Sequence, residues 1–254
     1  IPPAVSAQNG QQQPQIASAV HTQYKINSQI LGEERTVLVR VPANYARGGK
    51  YPVLYMLDAH APQNAMMVGL VEQQAWGGVM PEMIIVGIQN TDRVRDMTPT
   101  AVEDRPGSGG GEKFLDFIER EVIPMVEKNY RTDPFRVFAG HSLAGLAVVN
   151  SFVSRPHLFN AYIAASPFLH WDNNFVIKRA EEAFKQQNRD WKKTMFIGLG
   201  HEPAYHGGYY SFQALLNRMK PKNFIYEFRL FKEENHGSVV LAAYYAGLRR
   251  IFIP

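Results

Sequence analysis

The sequence predicts an α/β fold: a mostly parallel central sheet with helices on both faces and an antiparallel strand pair at its N-terminal side. Three observations carry this. Short, almost wholly apolar runs recur along the chain, and strands of that kind suit a parallel sheet covered on both faces. Amphipathic stretches with helical periodicity separate most of them. Two alternating stretches precede them all and form the expected pair.

Bulk properties narrow the classes. With 254 residues, 45% hydrophobic and 20% charged, the chain can bury a sizeable globular core. A net charge of +4, dispersed along the sequence, argues against nucleic acid or an anionic membrane as partner. No apolar run approaches the ~18 residues of a bilayer span. The absence of cysteine removes disulfides, thiolate catalysis and Cys-ligated metals.

The elements follow in order. Residues 1–22 begin with "IPPAVSAQNGQQQPQ", a Gln/Pro/Ala-rich lead-in expected to be flexible, so that the domain covers 23–254. Within it "AVSAQ" has small residues spaced as at a signal-peptidase site, which suggests export to a periplasm or medium. "YKINSQIL" alternates Tyr24, Ile26, Ser28 and Ile30, and "RTVLVRVP" alternates Val37, Val39 and Val41, with a joint at Gly32-Glu33. The apolar strands are "PVLYML" (52–57), "MIIVGI" (83–88), "RVFAG" (136–140), "AYIAAS" (161–166), "TMFIGLG" (194–200) and "NFIYEFRLF" (223–231). "EKFLDFIEREVIPMVEKNY" places Phe114, Phe117, Ile118, Val122, Met125 and Val126 on one helix face. Helices are also expected after Ser142, over "FVIKRAEEAFKQQ" and "YYSFQALLNRMK", and at the C-terminal end. "DRPGSGGGE" (104–112) reads as a mobile loop, with 104–111 a candidate lid. It lacks the Lys-Ser/Thr ending of a phosphate loop and does not leave a strand.

Chemistry concentrates in "FAGHSLAGLAVV" (138–149). A strand, a Ser flanked by small residues and a helix are the context of a nucleophile elbow, in which a strained turn lifts the hydroxyl above the sheet. Ala144 stands where Gly is usual, and Gly145 follows. The bland alternative is that Ser142 merely caps the helix. A Ser nucleophile needs a base. In the order Ser, acid, His, His236 in "FKEENHGSVV" follows the last strand, and Glu202 in "TMFIGLGHEPAYHGG" follows the strand before it. Asp172, Glu233 and Glu234 are the competing acids. His141 is set aside as base because a neighbour inside the elbow points away from Ser142. "HEPAYH" does not have zinc-site spacing, and Pro203 is expected to break the helix such a site needs, so no metal or cofactor is predicted. The backbone N–H of Leu143, at a helix N-terminus, is an oxyanion donor. A second is expected from the turn after "LYML", at Ala59 or, by preference, His60.

Taken together, "YPVLYMLDA", "VGIQNTDRVRDMTPT", "FLDFIEREVIPMVEKNYRTDPFRVFAGHSLAGLAVV", "SPFLHWDN" and "ENHGSVV" resemble the Putative esterase family of α/β hydrolases, which includes enterobactin-type siderophore esterases. The resemblance implies the α/β-hydrolase fold, an acyl-enzyme on Ser142 and His236 as base. Family members often carry Gly at the positions of Ala59 and Ala144, and Trp at that of His170. The resemblance also places "TDRVRDMTPT" near the site mouth, where Arg93, Arg95 and Asp96 are candidates for substrate contact. Arg95 and Asp96 also read as structural ion pairs. Trp171 is a candidate pocket wall, although Trp is more often packing.

The leading function is therefore hydrolysis of a small-molecule carboxylic ester by a serine esterase. Acyl transfer to an alcohol on the same fold is the nearest alternative. A catalytically silent binding module of that fold is the other. The sequence does not select among siderophore, feruloyl, acetyl-sugar and short aliphatic esters.

Overall fold

A computed structural model describes residues 21–185, 190–219 and 221–253. The predicted lead-in, apart from its last two residues, lies outside them. Eight strands form one sheet in the order β1-β2-β4-β3-β5-β6-β7-β8. The strands are β1 (Thr22–Ser28), β2 (Glu33–Arg40), β3 (Tyr51–Met56), β4 (Ile84–Ile88), β5 (Thr132–His141), β6 (Ala161–Ala165), β7 (Lys193–Leu199) and β8 (Phe224–Leu230). β1 pairs with β2, and β2 with β4, antiparallel; every other pair is parallel. This is the predicted architecture.

The apolar runs are uninterrupted because both sheet faces are covered. Val53, Tyr55 and Leu57 enter one core cluster while Leu54 and Met56 enter the other. The first cluster is closed by α3 (Gly111–Phe117), α4 (Ile123–Asn129), α5 (Leu143–Ser154), α6 (Trp171–Phe184) and α7 (Pro203–Met219). The second is closed by α1 (Ala61–Trp76) and α8 (Val239–Phe252). Each fully buried aliphatic or Phe side chain contributes about 1.5–3 kcal/mol, so these two layers fix the strand ends that carry the site.

The structure departs from the sequence reading in four places. α1 was not predicted, because its buried residues Met67, Val68 and Val71 sit among polar residues with weak periodicity. "EKFLDFIEREVIPMVEKNY" is not one regular helix: a π-helical turn, Ile118–Val122, separates α3 from α4 just before Pro124. A π turn shifts the hydrogen-bond ladder where Pro supplies no N–H. Pro203 opens α7 rather than breaking a helix, since the first turn needs no donor at that position. Finally, "TDRVRDMTPT" contains a short helix, α2 (Arg93–Met97), capped by the Asp92 carboxylate accepting from the Arg95 N–H at 2.9 Å.

The loop read as mobile, with 104–111 a candidate lid, is tied down by its glycines. Gly109 N–H donates to Thr98 Oγ1 at 2.8 Å, Gly110 N–H to Arg95 O and Gly111 N–H to Thr98 O, both at 2.9 Å. Gly109 has φ +97°, and a Cβ there would lie 2.5 Å from Ala101 N. The glycines thus let two backbones touch.

Candidate active site

Ser142 joins β5 to α5 with φ 60° and ψ −118°. A non-glycine residue is strained there by about 1–3 kcal/mol. The neighbours hold it in place. Ser142 N–H donates to Ala165 O at 2.9 Å, and its carbonyl accepts from Leu146 N–H at 2.9 Å and Phe168 N–H at 3.2 Å. The turn is so tight that a Cβ on Gly140 would sit 2.4 Å from Ala144 O and 3.0 Å from Ala144 Cβ. Bare Gly140 is what makes room for Ala144 in place of the usual Gly. Leu143 occupies the first position of α5, where a backbone N–H has no intrahelical acceptor.

The expected acid and base meet. Glu202 is 7% exposed and lies between β7 and α7. Its Oε2 makes a short hydrogen bond with His236 Nδ1. Its Oε1 accepts from Ser166 Oγ at 2.5 Å and from Gly200 N–H at 3.2 Å. A carboxylate only accepts, so Nδ1 carries the proton and Nε2 is left as the basic nitrogen. The His236 loop is rigidly built: Asn235 Oδ1 accepts from Gly237 and Ser238 N–H at 2.9 and 3.0 Å, and Glu234 O accepts from His201 N–H at 2.6 Å. Of the rival acids, Asp172 stands at the start of α6 in the wall of a different cavity. Glu233 and Glu234 belong to the turn after β8. Nδ1 belongs to Glu202.

Two further residues join this cluster. Tyr205, in the first turn of α7, packs its ring into this cluster, and burial raises its pKa. Its ring lies 4.9 Å from that of His236, 5.4 Å from Phe168 and 5.3 Å from His170. His141, set aside by the sequence reading, places its ring 4.5 Å from that of His236. Its Nε2 is 2.7 Å from the His236 carbonyl oxygen. Burial, followed by the charge of His236, lowers the His141 pKa to about 4. Neither residue carries a motif. Only the meeting of loops from β5, β7 and β8 reveals them.

The second oxyanion position is less open than expected. Ala59 N–H donates to Ile88 O at 3.2 Å, and His60 N–H closes a tight turn onto Asp58 O at 2.7 Å. Arg93 braces that turn against the elbow. Its Nε and Nη2 hold the two Asp58 oxygens at 2.8 and 2.9 Å, and Nη2 also donates to His141 O at 3.0 Å. Arg93 still borders a cavity of about 300 Å³ shared with His60, Asn90, His141 and Gly237. Trp171 is buried, and its Nε1 donates to Thr100 O and Oγ1, both at 3.2 Å. With Phe168 and His170 it walls a cavity of about 520 Å³ under the 101–105 loop. Asp172, Asn173 and Asn174 beside it all have positive φ, 45°, 52° and 62°, a run that L residues rarely sustain. Arg95 and Asp96 do not face this site. They pair with Glu33 and Arg35.

Comparison with known proteins agrees with the geometry. Residues 28–198 match the family described as Putative esterase. The chain belongs to that family. It is 33% identical over 171 residues to the ferri-bacillibactin esterase BesA of Bacillus subtilis, covering 59% of this chain and 59% of BesA. The match thus spans about three-fifths of that relative's length. Among solved structures, an IroE-like serine hydrolase from Shewanella oneidensis superposes with a TM-score of 0.86 at 30% identity, covering 92% of this chain and 80% of that one. The BES protein from Bacillus cereus gives 0.82 at 26% identity, covering 95% and 99%.

Proposed function

We propose that this Putative esterase family member is a serine carboxylic-ester hydrolase. The observation that carries the reading is the Glu202–His236 pair beside a strained Ser142 elbow. Ser142 Oγ attacks the ester carbonyl while His236 Nε2 takes its proton. Glu202 holds the ring and stabilises the imidazolium without accepting the proton. The Leu143 N–H, at the positive end of α5, stabilises the oxyanion. The His60 N–H is the second donor: its bond to Asp58 O closes a three-residue turn, and a charged oxygen is a stronger acceptor than that carbonyl. The imidazolium returns the proton to the departing alkoxide, and the acyl group remains on Ser142. Water, deprotonated by His236, then releases the acid and restores the hydroxyl.

The substrate class proposed is a small-molecule ester of the siderophore kind, supported by the name of BesA and by membership of its family. Trp171 and Phe168 wall the acyl or alcohol side of the pocket, and Arg93 borders a second cavity. The test is p-nitrophenol release from acetyl, butyryl and octanoyl esters, together with cleavage of a catecholate trilactone followed by chromatography. Activity that vanishes in both Ser142→Ala and His236→Ala supports the mechanism, and activity retained in Ser142→Ala sinks it. Added alcohols separate hydrolysis from acyl transfer, since ester products appear only in the second case.

A further inference from the structure

His236 is fixed at its ring by Glu202, but a ring swings about its own backbone. Something must therefore also fix the peptide from which it hangs. Beyond Phe231 the loop between β8 and α8 leaves the sheet, and its internal bonds to Asn235 tie it only to itself. Its backbone is reached from other elements at three points. Phe231 N–H donates to Leu199 O at 2.8 Å where the loop leaves β8, and Glu234 O accepts from His201 N–H, both on the acid side. On the nucleophile side, the His236 carbonyl faces His141 Nε2 at 2.7 Å.

We infer that His141 is a positioning residue: its Nε2–H donates to the His236 carbonyl and docks the loop carrying the base onto the nucleophile elbow. Three observations support it. A carbonyl can only accept, so the imidazole must supply the proton and be the Nε2–H tautomer. The residue is adjacent to Ser142 in sequence, so one short link sets the distance between base loop and elbow. The His141 backbone is itself anchored, because its carbonyl accepts from Arg93 Nη2 at 3.0 Å while Arg93 grips Asp58. Asp58, Arg93, His141 and His236 thus form one chain of contacts from the end of β3 to the base. The two rings lie 4.5 Å apart, so His141 must be neutral when His236 becomes an imidazolium. Burial and the neighbouring His236 favour that state, drawing its pKa down to about 4.

This inference rests on the Ser142–His236 reading above. It is tested with His141→Phe, His141→Gln and His141→Asn beside His236→Ala. The readouts are steady-state kinetics on p-nitrophenyl acetate and the rate constant for labelling Ser142 with a fluorophosphonate, which reports competent molecules even where some fail to fold. Phe keeps the ring and loses the donor. Gln places an amide N–H₂ where Nε2 stands, and Asn reaches only as far as Nδ1. A misplaced base costs about 10²-fold, so His141→Phe and His141→Asn should lower kcat and the labelling rate by roughly 30- to 100-fold. Loss of an interaction that acts on the chemical step leaves KM within about threefold. His141→Gln should return both rates to within about fivefold of wild type, the residue of a neutral hydrogen bond remade at slightly different geometry. A wild-type labelling rate in His141→Phe, or Gln failing as badly as Asn, overturns the inference. If His236→Ala is also active, the esterase reading itself fails; if it is inert while His141→Phe is unaffected, only the positioning role falls.

Discussion

Two buried carboxylates, Asp96 and Glu202, sit beyond the ends of strands in this molecule and are used in opposite ways. Asp96, 1% exposed, lies between two guanidiniums: Arg35 Nη1 at 2.5 Å and Arg95 Nε at 2.7 Å. Glu33 completes the cluster, reaching the same two arginines at 2.9 and 2.6 Å. Two negative charges meet two positive ones, and arginine never gives up its proton. Glu202 is nearly as buried but has no cation beside it. Its oxygens are held by a hydroxyl, a backbone N–H and an imidazole. The imidazole is the one partner that can take up and return a proton in the reaction. Closed compensation makes a structural brace, whereas compensation left to an exchangeable proton makes a site.

The contrast predicts a separation of activity from stability. Ser142→Ala should lower kcat by about 10³- to 10⁶-fold, the range expected when a nucleophile that acts with its base is removed. Its melting temperature should stay near wild type, because the backbone strain at φ 60° is unchanged. Glu202→Gln should come next, with a roughly 10²- to 10⁴-fold loss of kcat from an imidazole no longer held in the correct tautomer. Asp96→Asn should do the reverse. Breaking a buried ion pair on one side costs about 3–5 kcal/mol, read by urea unfolding, while the folded fraction keeps its kcat. An Asp96→Asn protein that loses kcat at full stability would show that the brace is part of the chemistry.

Much of this was legible in the sequence, for identifiable reasons. The strands were readable because burial on both faces leaves apolar runs such as "MIIVGI" with nothing polar to interrupt them. The placement of Ser142, Glu202 and His236 beyond the ends of β5, β7 and β8 was readable because the fold orders such loops after successive strands, and chain order survives in sequence. α1 was not readable, since its buried stripe mixes Asn64 and Gln74 with Met67, Val68 and Val71, while Trp76 at its end is exposed. Tyr205, His141 and the Asp58–Arg93 brace were hidden for a different reason. They act through contacts between loops 35 to 95 residues apart, and no local pattern encodes such a meeting. The His60 N–H shows the same limit from the other side: sequence places the residue on the right turn but cannot say what its amide already holds.

Acid sensitivity extends the comparison to smaller energies. In the folded protein His141 faces His236, Asp58 and Arg93, and it stays neutral down to about pH 4 against an ordinary value of 6.5. The unfolded chain therefore takes this proton first. The stability held by neutral His141 is complete above pH 6.5 and drains away as the pH falls toward 4, by at most about 3 kcal/mol. Glu33 behaves differently. Its hydrogen bond from Arg95, with those from Thr91 and Arg35, draws its pKa from 4.5 to about 2, so its contribution is present above pH 4.5 and is lost only below it. Acid unfolding should thus proceed in two windows, one belonging to the site and one to the brace. Urea midpoints measured from pH 7 to pH 3 check this. His141→Gln should flatten the slope between pH 6.5 and 4, and Glu33→Gln should flatten it only below 4.5. A single window removed by either substitution would mean that the two clusters are coupled through the Arg93–Arg95 helix, and that the brace reports on the state of the base.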